Sequence, residues 1–278
     1  MPELAEVEVG RKLAERVAVG RTIARAHVEP DPIVFDHVPP EEVRAALEGA
    51  RVLAAHRRGK QLWWTLDRSP SPLFHFGMTG AFRSPVEAPL PLESKIKDPE
   101  GTWPPRFTKL HLWLDDGGEL VMTNARRLGR IRLRENPLNE PPLSQLGFDP
   151  LTDLPDPETF RSLVRRRKVP LKALLLDQGF AAGVGNWLAD EIAYQARIDP
   201  RRRPPELSDA EIETVRGAMR DIVAHAVAVD ADKSRFPSSW LFHQRWGKKE
   251  GAETEDGHPI EHLTLGGRTT AWVPAVQR

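Results

Sequence analysis

The chain has no cysteine, which removes disulfides, thiol chemistry and every cysteine-ligated metal or cluster from consideration. It also lacks net charge. Its 40 basic residues balance 40 acidic ones, so no global field draws it to a polyanion and any nucleic-acid surface has to be a local patch. There is no apolar run long enough to cross a bilayer, no charged-then-apolar leader and no internal repeat. These absences predict a soluble intracellular protein that makes no use of a membrane. At 278 residues the chain exceeds the commonest domain size, so two domains with separate cores are expected.

What is present begins at Pro2. A small second residue permits removal of Met1, which leaves a secondary amine followed directly by the carboxylate of Glu3. An α-amino group titrates near pH ~8, so roughly a tenth of it is an uncharged nucleophile at neutral pH. Attack of such an amine on an aldehyde-level carbon gives an iminium, an electron sink, with Glu3 beside it to move protons. Taken alone, these residues more often mean a frayed chain start. The rest of the sequence has to decide.

Residues 4–17 carry apolar side chains at Val9, Leu13 and Val17, with Val7 beside them and Gly20 as a stop, which predicts a helix. Short alternating or apolar stretches follow at 22–28, 52–58, 61–66, 73–76, 110–114, 119–123 and 130–133. They are separated by turn signals such as Asp115-Asp116-Gly117-Gly118 and read as an antiparallel sheet system, with a helix inserted at 40–47. The proline- and charge-rich stretch 85–105 reads as an exposed loop. Six prolines between Asn136 and Pro157 mark a linker. Beyond it the pattern is helical. Asp156-Pro157 opens one helix that ends in Arg165-Arg166-Arg167-Lys168, a second spans 171–177, and a third starts at Asn186, read as its cap. Ser208 and Glu211 form a capping box before Ile212, Val215, Met219, Ile222 and Val223. Residues 242–278 read as a small hairpin appendage with strands at 262–265 and 270–273. The expected division is therefore 1–136, a linker at 137–150, a helical domain at 151–241 and a hairpin at 242–278.

The most specific internal stretch is Gly183-Val184-Gly185-Asn186-Trp187-Leu188-Ala189-Asp190-Glu191. Glycines let a backbone approach a ligand and a helix start favours an anion. A plain helix-loop-helix corner would look similar, and any single basic run is usually a solvated face. Here the runs 165–168 with Lys172 and 201–203 flank the helix start on both sides, which favours a nucleic-acid backbone.

Met1-Pro2-Glu3-Leu4, Arg58-Gly59-Lys60, His75-Phe76-Gly77-Met78-Thr79-Gly80, Arg126-Arg127-Leu128-Gly129, the 183–191 stretch and Gly267-Arg268-Thr269 occur in order across nearly the whole chain. Together they resemble the formamidopyrimidine-DNA glycosylase / endonuclease VIII family. The resemblance implies an α+β protein, with an amino-terminal antiparallel β-sandwich and flanking helices, and a helical domain with a helix-two-turns-helix motif followed by a finger hairpin. It implies a base-excision enzyme acting as a monomer on damaged double-stranded DNA, without a cofactor, in the cytoplasm or nucleoid, or in the nucleus of a eukaryote. In that match the Pro2 amine attacks C1′, expels the base and forms an iminium, and β- then δ-elimination cuts the strand. Glu3 is the proton shuttle, Glu6 a supporting carboxylate and Lys60 a phosphate-binding lysine beside the lesion. Met78 is a wedge entering the space of the flipped nucleotide, which costs a few kcal/mol of unstacking. Arg126 addresses the orphaned base, with Leu128 beside it, and Asn186, Arg268 and more weakly Lys172 hold phosphates.

Departures from the family pattern are equally specific. The places of its four zinc-binding cysteines fall on Glu253, Asp256, Val273 and Val276, so no metal is expected, as in zincless plant and fungal members. Such a hairpin would be held by Trp246, Ile260, Leu263 and Trp272. Leu128 stands where many purine-specific members carry phenylalanine, and Ala5 replaces a common proline. Three other readings stay open at this point: a preference for oxidised pyrimidines, a damage-binding protein without catalysis, and a general nucleic-acid binder.

Overall fold

The computed structural model describes residues 2–86, 102–247 and 251–278, and the chain divides into two units, Met1–Gln145 and Leu146–Arg278. Most of the expected loop over 85–105 lies outside the described residues. In the first unit, helix α1 (Leu4–Val17) buries Leu4, Ala5, Val7, Leu13 and Ala14 on one face and stops ahead of Gly20, whose φ is +85°. A buried leucine side chain contributes ~1.5–3 kcal/mol, so this stripe fixes where the chain starts. Gly10 on the same face is required by space: a Cβ there would lie 2.6 Å from the Phe76 ring.

Two four-stranded antiparallel sheets follow. One is built from β1 (Ile23–Val28), β6 (Thr108–Leu114), β7 (Glu119–Thr123) and β5 (Ala81–Arg83) in that spatial order. The other runs β2 (Val52–Arg58), β3 (Gln61–Leu66), β4 (Ser71–His75) and β8 (Arg130–Arg134). Their inward residues alternate along each strand and share one core, with Trp64, Leu62 and Phe74 from the second sheet and Leu110, Leu112 and Met122 from the first all nearly inaccessible. Helix α2 (Pro40–Leu47) adds Val43 and Leu47 to it. Trp64, Phe74 and Phe82 meet at ring distances of 4.9–5.7 Å. At three residues β5 is too short for alternation to reveal it, and the sequence offers no signal for it.

The second unit holds α3 (Pro157–Arg165), α4 (Leu171–Leu176), α5 (Asn186–Gln195) and α6 (Asp209–Ala228). Both sequence caps form: Asp156 accepts from Glu158 and Thr159 N–H, and Ser208 pairs with Glu211. Between α4 and α5 the chain makes two turns braced by one side chain. Gln178 donates to the carbonyls of Leu176 and Val184 and accepts from Gly183 N–H. This is the helix-two-turns-helix geometry. Strands β9 (Glu261–Leu265) and β10 (Arg268–Trp272) pair as a hairpin closed by Gly266 and Gly267, both at positive φ, as a two-residue turn of type I′ demands.

Candidate active site

The start of α1 places two carboxyl groups together, Glu3 buried and Glu6 half-buried. Pro2 is buried, Glu3 is 2% exposed, and the Glu3 backbone N–H donates to the Glu6 carboxylate at 3.0 Å. Burial first, and the neighbouring Glu3 carboxylate second, push the Glu6 carboxyl up to about 7, against backbone hydrogen bonds that pull it down. A helix start that crowds two carboxyl groups beside a buried proline can hold and move a proton near neutrality.

Lys60 is tied to that corner through the next turn of α1. It is the second residue of the tight β2–β3 turn, whose first residue, Gly59, has φ +56°, as a II′ hairpin requires. Arg57, on β2, donates to the Glu8 carboxylate at 2.8 Å and to the Gly59 carbonyl at 3.0 Å, with 1% of the Arg57 side chain exposed. The lysine-bearing turn and the helix of Pro2 and Glu3 are thus joined by a buried ion pair. Gln61 faces His75 across β3–β4. Burial, then the cations Lys60, Arg132 and Arg130, hold His75 down to about 4, so at neutral pH it is an uncharged imidazole whose Nδ1 accepts from Gly77 N–H.

Met78 is half-buried on the loop after β4, and Arg126, Arg127 and Leu128 are exposed on the loop after β7. The two loops touch. Arg126 N–H donates to Thr79 Oγ1 at 3.3 Å, and a Cβ on Gly77 would lie 2.4 Å from the Leu128 carbonyl carbon. Arg127 turns back into the unit at φ +54° and donates two hydrogen bonds, 2.8 and 3.0 Å, to Asp31. Although burial pushes the Asp31 carboxyl up, the bonds from Arg127 and Lys109 win and hold it far below the usual carboxylate range.

In the second unit the start of α5 differs from expectation. Gly185 is the cap, and Asn186 is the first helical residue. The Asn186 amide donates to the Thr269 carbonyl at 2.9 Å, next along the hairpin from exposed Arg268, while its Oδ1 is buried without a hydrogen-bond partner. Asn186 and the Arg268 tip are brought together. Lys172 is also corrected: its side chain is wholly buried and its ammonium donates to the Asn186 carbonyl and to Asp190, so it faces no solvent and no phosphate. Charge is visible in a sequence and burial is not.

Asp190 is the hub of that interior. It accepts from Lys172, from two nitrogens of Arg245 at 3.0 and 2.5 Å, and from the Ala271 N–H of β10 at 3.2 Å. Beside it Glu191 accepts from Gln195 and from the Phe242 N–H, and burial, working against those bonds and Arg245, pushes its carboxyl up to about 7. Val273 is fully buried in a cluster with Leu241, Ile260 and Ala271, and Val276 packs against it. Two of the four positions where the family places zinc ligands are therefore apolar packing, and no group of His, Cys, Asp or Glu among the described residues could hold a metal. Of the four residues expected to hold the hairpin only Ile260 belongs to this cluster; Trp246, Leu263 and the buried Trp272 are not part of it.

Sequence reading passed over Asn124, Asp190 and Arg245 as partners. The contacts of Asn124 with Phe76 and of Asp190 with Arg245 and Ala271 span 48 to 81 residues, beyond any local pattern.

Comparison with known proteins covers the whole chain. The family model described as Formamidopyrimidine-DNA glycosylase N-terminal domain matches residues 1–131, the corresponding H2TH domain matches 146–238, and the Formamidopyrimidine-DNA glycosylase-like C-terminal domain matches 240–274. A formamidopyrimidine-DNA glycosylase of Arabidopsis thaliana is 41% identical over all of this chain and 71% of its own length. One of Thermus thermophilus is 33% identical over all of this chain and 98% of its own. The fold is shared with Lactococcus lactis formamidopyrimidine-DNA glycosylase non-covalently bound to DNA containing an AP site, at TM-score 0.81, 24% identity and 99% coverage of both chains.

Proposed function

The chain belongs to the formamidopyrimidine-DNA glycosylase family, and on that premise we infer how its own residues carry out base excision and strand cleavage. It is a DNA glycosylase, and AP lyase activity is a general feature of the family. We assign the nucleophile to the Pro2 amine left when Met1 is removed. It attacks C1′ of the damaged nucleotide and the base departs with the glycosidic electron pair and a proton; the nitrogen lone pair then breaks the C1′–O4′ bond, O4′ takes a proton, and a C1′ iminium of the opened sugar remains. Loss of a C2′ proton then expels the 3′ phosphate, and a second elimination expels the 5′ phosphate. Glu3 is the proton carrier. Glu6, whose carboxyl sits at about 7 and accepts from the Glu3 N–H, holds that residue in place and can itself be protonated near neutrality.

The observation that carries this reading is the joined corner: a buried Pro2-Glu3 start on a packed helix, locked through Glu8 and Arg57 to the turn that presents Lys60. Lys60 serves as the phosphate clamp beside the reacting sugar. Met78 fills the vacated stack, Arg126 with Leu128 meets the orphaned base, and Arg268, braced through Asn186 and Thr269, grips the backbone. The substrate is double-stranded DNA bearing an oxidised or ring-opened base, bound by a single chain wherever the genome lies.

Borohydride trapping on duplexes carrying one defined lesion or an abasic site, followed by mass location of the adduct, tests this. Covalent capture at Pro2 is expected. No capture on any duplex, the abasic one included, would overturn it, as would capture at a lysine.

A further inference from the structure

The loops bearing Met78 and Arg126 start from different sheets, yet one fully buried side chain fastens them together. Asn124, the residue that follows β7, is wholly inaccessible. Its Nδ2 donates to the Phe76 carbonyl at 3.0 Å, at the base of the Met78 loop, and its Oδ1 accepts from Gly129 N–H at 3.1 Å, at the far end of the Arg126 loop. Its backbone is engaged as well. Asn124 N–H donates to the Phe107 carbonyl at 2.9 Å, and its carbonyl accepts from Arg127 N–H at 3.3 Å.

The packing around this amide leaves no slack. A Cβ on Gly129 would lie 2.1 Å from Asn124 Nδ2, and one on Gly80 would lie 2.4 Å from the Phe76 carbonyl oxygen and 2.6 Å from the same nitrogen. A carboxamide suits the place because it offers a donor and an acceptor on one planar group, as these two loops require. A buried group so satisfied rigidifies what it joins, and loss of it strands a carbonyl and an N–H away from water.

We propose that Asn124 is a positioning residue that makes the Met78 loop and the Arg126–Leu128 loop a single body, so that filling the lesion's place and testing the opposite base happen together. This rests on the roles given above to Met78 and Arg126. If the loops were independent, a wedge could enter the stack whatever base stood opposite. With the amide in place, a poor fit at Arg126 withdraws Met78 too.

The test uses the full chain and a double-mutant cycle. Trapping rates are measured on lesion duplexes differing only in the opposite base and on a single-stranded abasic oligonucleotide, for wild type, Asn124→Ala, Met78→Ala and the double variant. Asn124→Ala is expected to lower opposite-base discrimination about tenfold, while adding little once Met78 is already alanine. Trapping on the single strand, which has no opposite base, is expected to stay within about twofold of wild type. Asn124→Asp keeps the acceptor for Gly129 and loses the donor to Phe76, and it replaces the alanine variant if that one does not fold, with the same dependence on Met78. Equal losses on duplex and single strand, or effects of Asn124 and Met78 that simply multiply, would overturn the coupling alone. Wild-type silence on the abasic duplex would instead sink the functional reading and the coupling with it.

Discussion

The start of α1 and the middle of α5 both bury carboxyl groups, and they do so in opposite ways. At α1, Glu3 and Glu6 are of like charge and close together. At α5, Asp190 is enclosed by two cations, Lys172 and Arg245, and by a backbone N–H of the hairpin. Glu6 and Glu191 nonetheless both reach about 7. For Glu6 a neighbouring carboxylate adds to burial, whereas for Glu191 hydrogen bonds and Arg245 work against burial. A raised carboxyl therefore does not by itself mark chemistry. Crowding of like charges beside a candidate nucleophile does, because a structural interior has no reason to tolerate it.

The comparison breaks if the two places respond alike to substitution. Glu3→Gln should leave binding to a lesion duplex intact and lower single-turnover base release by about 10²–10⁴-fold, the usual worth of a placed proton carrier. Pro2→Gly should also weaken the chemistry while keeping binding. Wild-type rates in both variants would remove the mechanism. On α5 the loss should appear in folding instead. Asp190→Asn leaves two buried cations without their anion and should cost about 3–5 kcal/mol in denaturant unfolding of the full chain. Lys172→Met, which relieves an excess of positive charge, should cost less than Asp190→Asn. The reverse order would mean that charge balance does not organise this interior.

A smaller effect sharpens the contrast through pH. Glu6 binds its proton more tightly folded than unfolded, so its contribution to stability is complete below its ordinary 4.5 and is lost as pH rises through about 7. Glu6→Gln should flatten the fall in unfolding free energy over that window by at most about one proton, ~1.4 kcal/mol per pH unit. An unchanged slope would place the Glu6 proton elsewhere. Smallest in stability is Met78→Ala, with slower lesion processing and a melting temperature within about 2 °C of wild type. A large drop in melting temperature would make Met78 ordinary core packing.

The sequence disclosed features set by neighbours along the chain. Helix α1 and helix α6 follow from apolar spacing and a capping box, and most strands from alternation between turn signals. The misreadings have physical causes. Asn186 has the right chemistry for a helix cap, but Gly185 holds that place because the asparagine amide is drawn to Thr269. Lys172 looks like one more cation in a basic stretch until the fold encloses it beside Asp190. Asn124 gives no sign of its role, since Phe76 comes to it only when the sheets stack.

The hairpin that presents Arg268 is anchored by Val273 in an apolar cluster, by Asn186 on Thr269 and by Asp190 on Ala271. A finger held by zinc thiolates comes apart when its sulfurs are oxidised and the metal leaves. Here no cysteine holds the anchor, so peroxide has no thiolate to attack there. Oxidants that damage the bases of DNA would leave the tip of this hairpin in place.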